Sequence, residues 1–384
     1  TVSRSVLTFS FQLSLTPRML GLARRISLAL SAQSRSTFGS APLLLLALIV
    51  RKLPDGTRIW DMLFAKLTAT GLSFTNEDHL RKTIDRIVGK VGRRIDESSP
   101  LVDARLKDGS RVNAVVPPIA LDGSTLTIRK FFKDPFTAKD MVNTGTLTTH
   151  AMEFLDAAVR GRMNIVISGG TGSGKTTTLN VVSSFIPDDE RIVTIEDSAE
   201  LQLAKPHVIR METRPLNIEG TGLVTIRDLV RNSLRMRPDR IVVGEVRDGA
   251  ALDMLQAMNT GHDGSLTTVH ANSTTDAISR LETMSLMAGM ELPMAAIRDQ
   301  VGRAVNLIIQ QTRMHDGSRR ITAITELLGM QDGHIKTQDI FHFVYNKDKD
   351  ATDLGRLMPT GHVPSFMDRL NQRGIFLDKE VFKK

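Results

Sequence analysis

The residues best suited to chemistry lie in one unbroken stretch, Gly169-Gly170-Thr171-Gly172-Ser173-Gly174-Lys175-Thr176. It fits the pattern G-x-x-x-x-G-K-[ST]. Glycines let a backbone curl around a phosphate with its N–H groups turned inward, and a helix starting there adds a favourable dipole. Lys175 supplies a point charge, and the Thr176 hydroxyl can ligate Mg²⁺. Thr177 follows directly and completes the set of nucleotide-binding candidates. Such a pattern carries meaning only between a strand and a helix. Asn164–Ser168 is a short apolar run of the kind that forms a buried parallel strand, and Thr177–Val182 can continue as a helix. Together these residues imply a nucleoside triphosphate site, with ATP and Mg²⁺ as the expected ligands.

Hydrolysis needs more than a cradle, because a metal must bridge the phosphates and a carboxylate must orient or deprotonate the attacking water. Ile241-Val242-Val243-Gly244-Glu245 is an apolar strand ending in an acid. Gly244 stands where an aspartate usually holds the metal, which leaves Glu245 to reach the Mg²⁺ shell. Ile192–Ile195 leads into Glu196, Asp197 and Glu200. Parallel strands carry ligand sites at their C-terminal ends, so both acid groups are expected beside the phosphate loop. Spacing alone does not choose the general base among Glu196, Asp197 and Glu200. A third strand, Ser265–His270, ends in His270, which can sense the γ-phosphate, although a lone histidine is more often structural. Arginines recur at 210, 214, 231, 235, 237, 240 and 247; most should be solvated or paired, with one or two reaching a neighbouring subunit's site.

The elements that must position these groups follow from hydrophobic pattern. Strands and helices alternate from Leu147 to Phe343, as in a doubly wound α/β sheet carrying the phosphate loop. Asn306–Thr312, Arg320–Leu327 and His334–Ile340 read as an antiparallel extension. Residues 67–133 read as a smaller α+β domain, with a helix near Asn76–Val91 and a hairpin about Asp108-Gly109. Residues 134–146 are expected to link the two, and 344–384 to form a tail with a short helix near Ser365–Gln372.

Composition narrows the function classes. The chain has 384 residues and no cysteine, so thiolate zinc sites and cysteine nucleophiles are excluded, and zinc is not expected at His262 and His270. No apolar run approaches the roughly 20 residues of a membrane span. The net charge is +8, yet residues 1–54 hold seven basic side chains and no acid, which leaves about +1 for the body. A duplex-binding domain would carry a basic face, and the aromatic content of 4% argues against strand-stacking platforms, so nucleic acid is not an expected partner. Residues 1–66 stand apart, rich in Ser, Leu and Arg. They admit three readings: a targeting segment, a membrane-surface helix, or a disordered or mistranslated start, the last supported by a first residue that is not Met.

Four boxes stand in order, GGTGSGKT, IVTIEDSAEL, RPDRIVVGEVRD and GHDGSLTTVHANS. Together they resemble the type II/type IV secretion ATPase superfamily, with its Walker A, Asp, Walker B and His boxes. The stretches RIVGKVGRRIDESSPLVDARLKDGSRVNAVVPPIALDGSTLTIRKF and RMETRPLNIEGTGLVTIRDLVRNSLRMRPDRI are similar to the CpaF/TadA branch, which powers Flp (tight-adherence) pilus assembly. The resemblance covers roughly Leu72–Phe382. It implies an α/β fold in which a RecA-like P-loop NTPase domain is preceded by the smaller α+β domain, assembled as a homo-hexameric ATPase at the cytoplasmic face of the inner membrane and working with pilus or secretion platform proteins. It also implies site roles: Lys175 and Thr176 on phosphate and Mg²⁺, Glu245 as the Walker B acid, Glu200 as catalytic base, His270 near the γ-phosphate, and Arg129 brought toward the nucleotide from the N-terminal domain. The absence of a four-cysteine zinc element departs from the general secretion branch, and residues before Leu72 do not resemble the family's usual N-terminal strands. A type IV secretion or conjugation ATPase is the alternative within the superfamily. A nucleotide-binding structural subunit without turnover is the alternative outside it.

Overall fold

The computed structural model describes residues 45–53, 56–63, 66–130, 135–216, 221–346 and 354–383. The chain divides into two units, one up to Phe132 and the other from Lys133. In the first, strands β1 (Leu45–Leu53), β2 (Gly56–Leu63), β3 (Lys66–Phe74), β4 (Leu101–Arg105), β5 (Arg111–Val115) and β6 (Thr125–Arg129) form an antiparallel sheet. Their order is β3-β2-β1-β6-β5-β4. Helix α1 (Glu77–Gly89) begins where the Asn76 side chain accepts a hydrogen bond from the His79 N–H. Its Leu80, Ile84 and Val88 recur at helical spacing and are buried with Val102, Val112, Ala114 and Leu126. The expectation that residues up to 66 stand outside the fold needs correction. The backbone of 45–53 and 56–63 supplies two strands, and β1 pairs directly with β6. The readings of residues 1–44 lie outside the described residues.

The second unit is built on a nine-stranded mixed sheet. Strands β7 (Ile165–Gly169), β8 (Ile192–Glu196), β9 (Val208–Glu212), β10 (Arg240–Val243), β11 (Leu266–Val269) and β12 (Leu307–Arg313) run parallel in the order β12-β7-β11-β10-β8-β9. Beyond β12 the sheet turns antiparallel through β13 (Arg319–Gln331), β14 (His334–Tyr345) and β15 (Gly355–Pro359). The expected antiparallel extension is thus part of the same sheet. Side chains alternate between two cores: Ile165 and Ile167 face one, and Val166 faces the other. That alternation buries both faces and explains why the strands read as unbroken apolar runs. On the first face lie α2 (Ala138–Asn143), α3 (Thr149–Arg160) and α4 (Lys175–Ser183). On the second lie α5 (Ile226–Ser233), α6 (Ala250–Asn259), α7 (Thr274–Leu286) and α8 (Met294–Ala304).

Three differences from the sequence reading have physical causes. The expected linker contains α2, whose Thr137 and Asp140 form a reciprocal capping box. Strand β9 was missed because it lies at the sheet edge, where no residue is fully buried and no apolar run marks it. The described residues beyond 343 continue the sheet and core instead of trailing from them. Strand β15 pairs with β14, helix α9 (Met367–Gln372) follows, and Phe366 and Phe382 pack on Phe154. Buried Glu326 holds this segment, accepting hydrogen bonds from the Ser365 N–H (2.9 Å) and hydroxyl, with His362 Nε2 at 2.8 Å.

The strand starts are laced by two buried polar side chains. Arg240, the first residue of β10, is fully buried. It donates to Glu190 just before β8, to the Gly264 carbonyl before β11 (3.2 Å), and to the Val159 carbonyl of α3 (2.7 Å). Asn164, just before β7, accepts from the Gly264 and Ser265 N–H groups and donates to the Ala304 carbonyl, where α8 ends before β12. Gly264 sits at φ +84°, and a Cβ there would collide with the Arg240 guanidinium. Removing one partner of a buried ion pair leaves the other uncompensated. Arg240→Ala should therefore lower the unfolding free energy by about 3–5 kcal/mol. Combining Arg240→Met with Glu190→Gln should recover part of that loss, as measured by urea unfolding.

Candidate nucleotide site

The sheet's C-terminal edge gathers the polar residues. The loop after β7 is shaped by steric need: a Cβ on Gly169 would collide with the Gln311 carbonyl and the Ser173 hydroxyl. Gly174 lies at φ +99° and starts α4 from a left-handed conformation that favours glycine. Gly172, Thr171 and Thr177 are exposed, while Gly170, Gly174, Lys175 and Thr176 are half-buried. Lys175 Nζ donates to the carbonyls of Gly169 (2.8 Å) and Gly170 (3.1 Å). Burial pulls its pKa below the ordinary lysine value, Glu245 opposes that shift, and Arg247 adds to it. The Ser173 hydroxyl is buried without a hydrogen-bond partner among the described residues. A cradle with an orphaned hydroxyl, a cation and a half-buried Thr176 fits a polyphosphate with its Mg²⁺.

Glu245 follows β10 beside this cradle and is about a quarter exposed (25%). Arg247 Nη2 donates to its Oε2 at 2.6 Å, and Arg247 Nη1 lies 3.3 Å from Asp197. The hydrogen bond to Glu245 holds the Arg247 pKa above its ordinary value. Arg247 therefore ties the acid groups of β10 and β8 together within the same chain.

The three Asp-box acids occupy different environments. Glu196 is buried, and its Oε2 accepts from the backbone N–H groups of Glu200 (2.8 Å) and Leu201 (3.0 Å). Its Oε1 has no partner among the described residues. Burial raises its pKa above the usual carboxylate range, against the two backbone hydrogen bonds. Asp197 is exposed and paired with Arg247, whereas Glu200 is half-buried on the loop that Glu196 braces. Gly244 also becomes intelligible. A Cβ there would lie 2.9 Å from Glu196 Cγ, so the carboxylate of the neighbouring strand fills the space an aspartate would need.

His270 is half-buried just past β11, on the same edge. Asn272, two residues further, brings its Oδ1 within 3.8 Å of where a Gly170 Cβ would stand. Arg129 is exposed at the end of β6 in the first unit. Of the arginines considered for a neighbouring site, Arg240 is instead a core residue at the opposite edge, Arg231 pairs with Asp253, and Arg210 donates to the Leu201 carbonyl. Arg235 and Arg237 are exposed.

With this geometry established, comparison with known proteins becomes informative. Residues 57–335 match the family described as type II/IV secretion system protein. The chain belongs to that family. It is 35% identical over 298 residues to a putative conjugal transfer protein of Mycobacterium tuberculosis, covering 76% of this chain and 84% of the relative. It is 36% identical over 261 residues to the conjugal transfer protein TrbB of Rhizobium radiobacter, covering 66% and 76% respectively. Among solved structures it resembles the Legionella pneumophila ATPase DotB, with TM-score 0.54, 21% identity and coverage of 82% and 81%. The pilus retraction motor PilT with bound ADP gives TM-score 0.53, 18% identity and coverage of 91% and 86%. Both structures share the α/β fold with an N-terminal domain. As a member of the type II/IV secretion family, the chain is an ATPase.

Sequence reasoning overlooked Gln311, Arg313 and Arg319, which lie against the phosphate loop although they are more than 130 residues beyond it. Nothing local marks them, since only the pairing of β12 with β7 brings them there.

Two outcomes test the acid arrangement. Gly244→Ala should cost about 1–3 kcal/mol in urea unfolding, the usual effect of overpacking, and Glu196→Ala in the same chain should relieve part of it. The raised Glu196 pKa also gives a pH signature. Its contribution to stability is fully present below the ordinary glutamate value and is lost as pH rises through the higher folded value. Urea unfolding followed as pH rises from below the ordinary glutamate value should show this decline in the wild type and its loss in Glu196→Gln.

Proposed function

We propose that the chain is the ATP-hydrolysing motor of a bacterial secretion or pilus-assembly machine. It would act as a homo-hexamer bound to platform proteins at the cytoplasmic face of the inner membrane. The observation carrying this reading is the meeting, on one sheet edge, of the phosphate cradle, Glu245 beside Lys175, and an acidic loop braced by Glu196.

In this reading Lys175 and the N–H groups from Gly170 to Thr177 bind the phosphates. Thr176 and Glu245 hold Mg²⁺, which when bound neutralises charge between the phosphate groups. Glu200 takes the proton of the attacking water. Two alternatives are disfavoured by geometry: one Glu196 oxygen is committed to two backbone N–H groups, and Asp197 is paired with Arg247. His270 reads the γ-phosphate. Nucleotide-dependent movement between the units supplies the stroke.

Two branches of the family divide the cargo. The conjugal-transfer relatives favour a type IV secretion or conjugation ATPase. The stretch from Arg210 to Ile241 favours the Flp/Tad pilus branch. Deleting the gene in its host separates them, by loss of conjugal or effector transfer in one case and of surface pili in the other.

Steady-state ATPase rates measured against protein concentration test the motor itself. Specific activity should rise as oligomers assemble. Lys175→Ala and Glu245→Ala should nearly abolish turnover, and Glu200→Gln should keep ATP binding while losing about 10²–10⁴-fold in rate. Unchanged turnover in Glu200→Gln would remove the base role from Glu200. ATP binding without turnover at any concentration would favour a structural subunit instead.

A further inference from the structure

The β12–β13 hairpin overhangs the phosphate loop with two arginines. Gln311 on β12 is the register partner of Gly169, so Arg313 stands two residues past the point where β7 gives way to the loop. Arg313 and Arg319 are themselves directly opposite each other across the hairpin. Cross-strand partners share one face, as do residues two apart along a strand, so Gln311, Arg313 and Arg319 all face the loop. The side-chain geometry agrees. Gln311 Nε2 would lie 3.1 Å from a Cβ on Gly174, Arg319 Cδ 3.8 Å from the same point, and Arg313 Nη1 4.0 Å from a Cβ on Gly172. Arg319 Nε donates to the Gly172 carbonyl at 3.2 Å.

Like charges placed directly opposite in an antiparallel pair destabilise it. Here nothing offsets the repulsion: among the described residues neither Arg313 nor Arg319 has an acidic partner. Asp316, in the turn between them, accepts from the Ser318 N–H at 2.8 Å. Burial and the neighbouring Arg313 together push the Arg319 pKa below its ordinary value. Two guanidiniums on cross-strand partners, one of them half-buried, against a loop of phosphate-binding type present the charge and donors that suit an anion.

We propose that Arg313 and Arg319 clamp the phosphate chain of the nucleotide from the Gly172–Gly174 side, within the same subunit. Lys175 and the acids lie toward β11, β10 and β8, so the hairpin closes the opposite flank of the cradle. Gln311 acts as a positioning residue: its Oε1 accepts from the Thr178 hydroxyl of α4 at 2.7 Å and fixes the hairpin to the helix that starts at the loop.

The proposal rests on the nucleotide-site reading and deepens it. Displacement of a fluorescent ADP analogue from the full chain by ADP, AMP and inorganic pyrophosphate tests both. In Arg313→Gln/Arg319→Gln, ADP and pyrophosphate should each weaken about tenfold or more, the range for a charge-assisted hydrogen bond. The salt dependence of binding should become shallower, and Arg319→Lys should restore part of the affinity. The nucleotide-free melting temperature should stay the same or rise, because a repulsion is removed. Unchanged pyrophosphate affinity in the double variant, with ADP weakened or not, would overturn the clamp, because the arginines would then serve the base, the ribose or the hairpin alone. A wild type that binds neither ADP nor pyrophosphate, or a Lys175→Ala variant that binds both as well as the wild type, would instead bring down the underlying site reading and the clamp with it.

Discussion

Side chains lock the starts of the parallel strands of the second unit, and their ends inherit that order. Arg240 joins the approaches to β8, β10 and β11 with helix α3, and Asn164 joins those to β7, β11 and β12. Both are buried, so each hydrogen bond they make replaces one that water would otherwise have supplied, and a shift of one strand would leave several groups unsatisfied. Strand length then sets where each chain emerges on the far edge. The phosphate loop, Glu245, the acidic loop and His270 emerge side by side because the lacing at the other edge holds their strands in register.

At that far edge, space is the limiting quantity. Two adjacent parallel strands each end in a glutamate-bearing segment, but only one buried carboxylate fits between them. Glu196 occupies the volume above Gly244 and uses one oxygen to brace the backbone of Glu200 and Leu201. Glycine at 244 is therefore the steric counterpart of Glu196 and no mere loss of an aspartate. Glu245, one residue later, is displaced toward the cradle and steadied by Arg247. The division of labour among the acids is thus set by packing as much as by charge.

The site is also polarised across the sheet. Toward β10 and β8 it is acidic, with Glu245, Asp197 and Glu200; toward β12 and β13 it is cationic, with Arg313 and Arg319. Lys175 lies on the acidic side near Glu245, its ammonium turned onto loop carbonyls and its charge opposed by burial. Such a gradient suits a ligand that is itself polarised, an anionic chain carrying a metal cation at one side.

The amino-acid sequence by itself determined the phosphate loop, the α/β class, most strands and helices of the second unit, and the order of the four boxes. Those features are local: a loop of fixed spacing, apolar runs buried on both faces, and caps such as Thr225 with Asp228, which close α5. The tertiary structure alone decided the features whose partners are distant in the chain. Arg240 looks like any surface arginine until Glu190, Gly264 and Val159 surround it. Leu45–Leu53 and Gly355–Pro359 become strands because an edge is available to each, β6 for the first and β14 for the second. Arg313 and Arg319 reach the loop only through the pairing of β12 with β7. A backbone hydrogen bond or a buried charge depends on what stands opposite it, and spacing along a single chain carries no record of that.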